Sequence, residues 1–258
     1  MYRNLFLLFI LIISSRTVFA QGEIQTEKEI FFRNERSIGI LFNNNGIGID
    51  YRYGKFINAY KKHLYEINLN NLKHYKEVKI VNPWYPSLNR YVYGKVNTVF
   101  DINAGKGRQN VYFFKQDAGS VEIRSFYFAG FSLAVLKPIY YKVRYSQDLE
   151  KYEKFDPVLH RSSDIIGKAG YFYGIDETFI IPGIYIKAGV SFEYAKRDFQ
   201  IRALEAGVTV NAFLQTPEIM AQIDNQQIVI SVFLLYRFGK VFHGAQFKNL
   251  NTKENSGF

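Results

Sequence analysis

The stretch that decides the fold is Gln226-Gln227-Ile228-Val229-Ile230-Ser231-Val232-Phe233-Leu234-Leu235-Tyr236-Arg237-Phe238-Gly239-Lys240. Side chains on an extended strand alternate between its two sides. Six apolar residues therefore share one side, namely Ile228, Ile230, Val232, Leu234, Tyr236 and Phe238. The other side mixes Ser231 and Arg237 with apolar residues. Aliphatic residues that give way to aromatic residues at the strand end are typical of a strand facing lipid. A strand of a soluble sandwich, followed by a tail, is the alternative.

The composition favours strands over helices and excludes cysteine chemistry. Aromatic residues make up 17% of the 258 residues, with 24 Phe and 20 Tyr against six Pro, and aromatic residues are enriched in strands. Because there is no Cys, disulfides, a thiol nucleophile, cysteine metal ligands and a lipoprotein anchor are excluded. The formal net charge of +10 fits nucleic acid or anionic lipid headgroups, and the location of the protein decides between them.

The N-terminus predicts export. Residues 1–20 have the three parts of a secretory signal peptide: Arg3, an apolar run over 5–13, and Val18-Phe19-Ala20 before the expected cleavage site. The apolar run is shorter than the roughly 20 residues of a spanning helix, and no later stretch is long enough. A mature chain that crosses a membrane must then do so as a closed barrel, since open strands leave unpaired amides in lipid. An exported chain favours lipid over nucleic acid as the partner of the basic residues.

Alternating patterns predict eight strands. They cover 37–42, 46–53, 62–70, 91–103, 121–135, 183–194, 204–211 and 227–238. Asn43-Asn44-Asn45-Gly46 is a strong hairpin signal, and Ala104-Gly105-Lys106-Gly107 resembles a turn. An even number of strands returns the C-terminus to the periplasm, with short turns on that side and the long connections 71–90 and 136–182 outside. The expected fold class is an all-β, antiparallel, up-and-down transmembrane barrel.

Charged residues fall on the strand sides opposite the apolar ones. They are Asp50, Arg52, Glu66, Lys95, Asp101, Glu122, Arg124, Lys187, Glu193, Glu205 and Arg237. In a soluble barrel such as a lipocalin this face would meet water, whereas in a membrane barrel it must pair within a narrow lumen. The near balance of charges and the many small residues favour the membrane barrel. Because eight strands enclose just enough space for their own side chains, a polar core without an open pore is expected.

Aromatic and lysine residues at strand ends predict contact with the lipid–water boundary. Tyr53 with Lys55, and Tyr236, Phe238 and Lys240, suit this position because aromatic rings and long cationic side chains favour headgroup level. Trp84, in an external loop, is expected to be a further anchor, with a recognition patch as the alternative.

The chain resembles the small outer-membrane β-barrel proteins of the OmpX/OmpA transmembrane type. The resemblance rests on the signal peptide, the eight strands and the ending Leu234-x-Tyr236-x-Phe238. It implies a periplasmic lead-in over 21–36, an outer-membrane barrel over 37–238 and a periplasmic tail over 239–258, in a Gram-negative bacterium. The tail departs from the type, whose members often end at the terminal aromatic. It is too short for the peptidoglycan-binding domain of OmpA-like proteins.

One cluster of residues raises the question of catalysis. His160-Arg161-Ser162-Ser163-Asp164 places a base, two hydroxyls and a carboxylate in the long loop 136–182. A catalytic triad needs a nucleophile held within reach of an oriented base, and Ser and Asp in such runs are more often turn formers or helix caps. No His has metal-ligand spacing with a partner, and we predict no catalytic residue, metal or cofactor.

The leading interpretation is a non-enzymatic scaffold or accessory subunit of an outer-membrane assembly or secretion complex. It would contact lipid and lipopolysaccharide, and bind a protein partner through loop 136–182 or the tail. A lipid-modifying enzyme that uses His160 with Ser162 or Ser163, and a narrow channel, are the alternatives.

Overall fold

The computed structural model describes residues 33–58, 60–84, 90–115, 119–146, 149–197 and 199–243, which form thirteen strands. The strands are β1 (Arg33–Asn43), β2 (Gly46–Phe56), β3 (Lys61–Leu72), β4 (Lys79–Ile80), β5 (Tyr91–Val92), β6 (Asn97–Phe113), β7 (Glu122–Pro138), β8 (Tyr140–Ser146), β9 (Leu149–Lys154), β10 (Ile165–Lys168), β11 (Phe179–Glu193), β12 (Gln200–Phe213) and β13 (Ile228–His243). None of the described residues belongs to a helix long and apolar enough to cross a membrane.

Eight of these strands close into an antiparallel barrel in the order β1-β13-β12-β11-β7-β6-β3-β2. The barrel closes where β1 pairs with β13, from Arg33 opposite His243 to Asn43 opposite Phe233. The described parts of the connections 57–60, 114–121 and 194–199 lie at one end of the barrel, here called the turn end, together with the start of β1 and the end of β13. The four remaining connections lie at the opposite loop end. The predicted eight-stranded, up-and-down topology is confirmed.

The barrel wall has an apolar outer face and a polar inner face. On β13 the outward side chain of Val232 is 60% exposed, whereas the inward Ser231 next to it is 4% exposed. The same contrast recurs around the wall, where large exposed side chains include Ile40, Ile49, Ile67, Phe131, Ile186, Val208 and Leu234. An apolar belt of this extent on a closed barrel suits lipid and not water. The architecture is therefore that of the small eight-stranded outer-membrane barrels, as the resemblance implied.

The prediction for the fourth strand was wrong at both ends. Residues 104–107 do not turn, because β6 runs through them from Asn97 to Phe113. Gly105 and Gly107 face the interior, where a Cβ would lie 2.5 Å from the Tyr185 hydroxyl and 2.6 Å from a ring carbon of Phe128, respectively. Glycine is needed here because interior rings occupy the space of a side chain. A turn would instead need glycine for its backbone freedom. Residues 91–96 precede the barrel strand and lie at its loop end.

The barrel wall is longer than predicted at the closing seam. Strand β1 begins at Arg33 instead of 37, and β13 continues to His243 instead of ending at 238. The alternation extends with it, since Glu35 faces inward and forms an ion pair with Lys62. The expected signal peptide, most of the lead-in and most of the tail lie outside the described residues.

The long loop-end connections fold into a second layer, here called the cap. It comprises the described parts of 73–96, 139–178 and 214–227. Strands β10, β8 and β9 form a three-stranded sheet in that order, and β4 pairs with β5. Tyr91, Ile139, Tyr141, Val143, Phe155 and Ile165 form the buried core of this layer.

Candidate functional site: a filled interior beneath a folded cap

Six charged side chains form a closed network in the middle of the barrel, here called the central set. Its members are Asp50, Arg52, Glu66, Lys187, Glu205 and Arg237, all buried. Arg52 bonds to Glu66 at 2.8 Å and to Glu205 at 2.9 Å. Lys187 contacts Asp50 and Glu66 at 3.1 and 2.8 Å. Arg237 completes the ring, with 2.7 Å to Asp50 and 3.0 Å to Glu205. Three cations thus meet three carboxylates, and the set is neutral.

A second group of ion pairs, the turn-end set, lies nearer the short turns. It contains Glu35, Lys62, Lys115, Glu122, Arg124 and Glu193. Lys62 bonds to Glu35 at 2.7 Å, and Arg124 bonds to Glu122 at 2.8 Å and to Glu193 at 2.5 Å. Lys115 adds a contact of 3.0 Å to Glu193. This set also joins three cations to three carboxylates.

Buried aromatic rings fill the space between these charges. Leu41, Leu64, Phe126, Phe128, Tyr185, Phe233 and Leu235 form one inward-facing cluster. The Arg52 guanidinium lies 4.7 and 4.8 Å from the ring centroids of Phe126 and Phe128, a cation–π geometry. The irregular alternation of β7 is explained by this contact, because its two Phe side chains face inward beside a planar cation.

An apolar layer closes the loop end of the barrel. Leu72, Val99, Ala134, Leu136, Ile181 and Phe213 come from the ends of the barrel strands, and Ile219 and Met220 from the connection 214–227 cover them. Asn97 fixes this connection by donating to the Glu218 carbonyl at 2.8 Å. The barrel interior is therefore filled by its own side chains from the turn-end set to the cap.

Side chains tie the separate segments of the cap together. Asn82 donates to the Ser163 and Ile165 carbonyls at 3.0 and 2.8 Å. The Tyr141 hydroxyl shares its single proton between the Val92 and Lys95 carbonyls, at 2.7 and 2.8 Å. Burial raises the pKa of Tyr141 above its ordinary value. The cap is therefore one folded layer, and not three independent loops.

The geometry of His160 does not match a catalytic triad. This buried side chain accepts the Asp156 N–H at Nδ1 over 3.0 Å and places Nε2 3.4 Å from Glu153 Oε2. Because Nδ1 accepts, a neutral ring carries its proton on Nε2. The Ser163 hydroxyl donates to its neighbour Asp164 at 2.8 Å, away from the imidazole. The described contacts thus give His160 a role in holding the turn at 156–160.

Aromatic residues collect on the outside of the cap near the start of β11. Tyr152 and Tyr173 stack with their centroids 4.9 Å apart, and Tyr171 and Phe172 meet edge to face at 5.8 Å. Phe172 is 78% exposed. We call Tyr152, Tyr171, Phe172, Tyr173 and Ile175 the aromatic patch. Large exposed apolar side chains of this kind often mark an interaction surface.

A cationic pair borders the aromatic patch on the barrel side. Lys137 is buried, its ammonium lies 4.5 Å from the Tyr171 ring centroid, and no carboxylate among the described residues pairs with it. It continues the outward column of Phe131, Leu133 and Val135 on β7, so it lies where the apolar belt ends. Burial and the charge of Lys137 lower the pKa of Lys168. The structure thus places two like charges near each other at the border between barrel and cap.

No protein-family model and no curated protein sequence matches the chain. Among solved structures, Ail of Yersinia pestis in complex with the heparin analogue sucrose octasulfate is 10% identical, with a TM-score of 0.39 over 83% of this chain and 100% of that one. Neisserial surface protein A is 11% identical, with a TM-score of 0.39 over 83% and 98% of the two chains. The N-terminal β-barrel domain of Pseudomonas aeruginosa OprF is 7% identical, with a TM-score of 0.34 over 81% and 97%. Likenesses at this level carry no information on function, and the fold rests on the strand topology.

The structure brings nine of the eleven predicted lumen residues into the two ion-pair sets. Lys95 lies outside the barrel strands and pairs with Glu77 at 2.7 Å in the cap, because the strand that was predicted to carry it inward begins only at Asn97. Asp101 is inside the barrel but belongs to neither set. Sequence reasoning missed Glu35, Lys62 and Lys115 in the turn-end set. Glu35 lies two residues before Ser37 on β1, so both face the same side of the strand. Extending the alternation to Glu35 would have identified it as a lumen residue.

The predicted interface residues fall into two groups. Tyr236 and Phe238 face outward near the turn end, and Tyr53 lies with its ring centroid 6.5 Å from that of Phe242. Lys55 and Lys240 are exposed on the same part of the wall. Trp84 is 76% exposed and lies in the cap, where its backbone N–H donates to Asn82 Oδ1 at 3.0 Å. The residues on the outer wall near the turn end fit a lipid boundary. The position of Trp84 in the cap also fits a recognition role.

Proposed function

We propose that this protein is a non-enzymatic scaffold or accessory subunit of an outer-membrane complex, which presents its cap to a protein partner. One observation carries the proposal: the cap has its own buried core, yet it keeps the aromatic patch exposed on its outer side. A folded surface loses less conformational entropy on binding than a flexible loop does. Export by the signal peptide and residence in the outer membrane of a Gram-negative bacterium are part of this proposal.

The filled interior supports a scaffold over a channel. Two neutral ion-pair sets, a cluster of rings and an apolar layer occupy the inward positions in turn. A continuous water path would have to separate several buried charges from their partners, which costs several kcal/mol for each uncompensated charge. Conduction through the resting barrel is therefore not expected.

The partner experiment compares tagged forms of the full-length protein in the native membrane. After gentle detergent extraction, the wild type is expected to carry one membrane protein in stoichiometric amount. Phe172→Asp should remove that protein, because it places a charge in the middle of the aromatic patch. Val158→Asp is the matched control, since Val158 is exposed on the cap but is not part of the patch. A partner that stays bound to the Phe172→Asp form, or no stoichiometric partner at all, would contradict the proposal.

The enzymatic alternative is tested on lipids. Mass spectrometry of outer-membrane lipids from cells with and without the protein is expected to show identical acyl chains and headgroups. A difference that disappears in Ser162→Ala or Ser163→Ala would establish the enzyme instead. Both hydroxyls are in exposed residues, so these substitutions leave the fold of the cap intact.

We further propose that Lys168, which is exposed on the cap, contacts lipid phosphates, such as those of lipopolysaccharide, at the edge of the membrane. The buried Lys137 supports this contact, because it has no carboxylate partner among the described residues and adds positive charge near Lys168. Lys168→Gln should lower the amount of lipopolysaccharide that co-purifies with the protein. Unchanged lipid phosphate per barrel would refute this contact without affecting the partner proposal.

A further inference from the structure

Asp101 is the one carboxylate inside the described barrel that has no cationic partner. The central set and the turn-end set each join three cations to three carboxylates, so neither has a charge to spare. Asp101 lies on β6, closer to the loop end than either set, and it is fully buried. An isolated charge in such a position is costly unless something neutralises it.

Only neutral groups bond to the Asp101 carboxylate. Ser132 Oγ donates to Oδ1 at 2.7 Å, and the amides of Asn103 and Asn211 donate to Oδ2 at 2.6 and 2.7 Å. Asn68 extends the cluster, because its Oδ1 accepts from Asn103 at 3.0 Å and from Asn70 at 2.9 Å. The four asparagines and Asp101 are all more than nine-tenths buried. We call them, with Ser132, the Asp101 cluster.

Several oxygen acceptors in the cluster have no donor. Oδ1 of Asn70, Asn103 and Asn211 are buried and have no hydrogen-bond partner, and the buried Tyr185 hydroxyl is unpartnered as well. A buried polar atom without a partner destabilises the folded state. Three such amide oxygens beside an uncompensated carboxylate point to a positively charged ligand.

The surroundings separate the cluster from bulk water. The apolar layer of Leu72, Val99, Leu136 and Phe213 lies on its loop-end side. The rings of Phe126, Phe128 and Phe233 lie on its other side. A positive charge at this position must therefore enter during folding or by local opening.

We propose that the Asp101 cluster is a binding site for one monovalent cation such as sodium. Carboxylate and amide oxygens are hard ligands that suit such ions, as carbonyl oxygens do in channels and transporters. An amide can turn about its terminal bond, so Asn103 and Asn211 can offer Oδ1 to a cation in place of Nδ2 to the carboxylate. One monovalent ion neutralises Asp101, whereas Ca²⁺ takes six to eight oxygens and would leave an excess positive charge.

The experiment refolds the full chain from urea into detergent micelles in NaCl, KCl or choline chloride at equal ionic strength. Choline is too large for the cluster and serves as the reference cation. In the wild type, the ratio of folded to unfolded protein should be higher in sodium than in choline. It should approach a tenfold rise for each tenfold rise in sodium, as expected for one ion that binds only the folded state. Heat-modifiable mobility on gels measures the folded fraction.

Asp101→Asn is the decisive variant, because it keeps the shape of the side chain and removes its charge. It should show the same folded fraction in all three salts. Asp101→Ser provides the same comparison should the first variant not fold. Equal stability of the wild type in sodium and choline would overturn the proposal, and so would a sodium effect that persists in the variant. A wild type that responds to acid but not to the choice of cation would show that a proton neutralises Asp101.

Discussion

Replacing Arg52 by Met should destabilise the folded barrel by about 3–5 kcal/mol, the usual cost of removing one partner of a buried ion pair. Arg52 makes four side-chain hydrogen bonds, two to Glu66 and two to Glu205. It also lies against two aromatic rings, which an apolar side chain can still contact. Most of the loss should therefore come from the net charge of −1 that remains in the central set.

A second substitution separates charge imbalance from lost contacts. Glu205→Gln added to Arg52→Met returns the central set to neutrality, with Lys187 and Arg237 facing Asp50 and Glu66. The double variant should be more stable than Arg52→Met alone by at least about 1 kcal/mol, within the range of coupling energies for residues in one network.

The assay is urea unfolding of the purified barrel in phospholipid bilayers, followed by tyrosine and tryptophan fluorescence and by gel mobility. Arg202→Met is the matched control, because Arg202 is exposed on the outer face of β12, and surface changes usually stay within about 0.5 kcal/mol. If Arg52→Met loses no more stability than Arg202→Met, the network contributes little. If the losses of stability caused by Arg52→Met and Glu205→Gln simply add in the double variant, charge balance is not the controlling factor.

Four further predictions test the wall, the interior and the cap. Purified protein should give no stable single-channel openings in planar bilayers, and regular openings would refute the filled interior. Replacing both Tyr236 and Phe238 by Asp should block membrane assembly, as judged by flotation with the outer membrane, because both side chains face outward. Gly107→Leu should prevent folding, since its Cβ would lie 2.1 Å from a backbone oxygen, whereas Gly119→Leu has nothing within 4 Å and should fold. Tyr141→Phe should make the cap more sensitive to protease without changing the gel mobility of the barrel. Equal protease resistance would show that the hydrogen bond shared by the Val92 and Lys95 carbonyls does not hold the cap.

Side-chain alternation made the barrel predictable from the sequence. A wall with lipid on one side and a narrow core on the other imposes a period of two on nearly every strand. On β13, for example, Val232 and Leu234 face lipid while Ser231 and Arg237 face inward. The same logic placed ten of the eleven predicted charged residues on the inner face, including Asp101, before any contact was known.

Alternation could not predict the order of layers inside the barrel. Phe126 and Phe128 occupy inward positions because they pack on the Arg52 guanidinium, a partner from a strand about 70 residues earlier in the chain. Gly105 and Gly107 read as a turn because glycine has several uses, and only the position of Tyr185 and Phe128 shows which one applies. Contacts between residues distant in sequence decide these points.

The structure of the cap could not be predicted from the sequence, for a related reason. Its short strands pair across segments, and its cohesion comes from single side chains such as Asn82 and Tyr141 that bond to backbone carbonyls of other segments. Such bonds leave no periodic signal. The segment 136–182 contains apolar clusters such as Ile139-Tyr140-Tyr141, which are too apolar for a solvated tail. The side chains that contact the rest of the cap cannot be named from the sequence.

The folded state of the cap lowers the entropy cost of binding a partner. Ordering a flexible segment at an interface costs roughly 0.5–1.5 kcal/mol for each immobilised side chain. In the aromatic patch, Tyr152 and Tyr173 are already stacked, and Tyr173 also lies 6.4 Å from the Tyr140 ring. Tyr140 is in turn held by its hydrogen bond to Glu177 at 2.8 Å. A partner that meets this surface therefore finds rings whose positions are already set, so a modest contact area can support a specific complex. Tyr140→Phe should weaken capture of the partner by loosening the patch while leaving Phe172 in place. Unchanged affinity would show that the patch does not depend on this support.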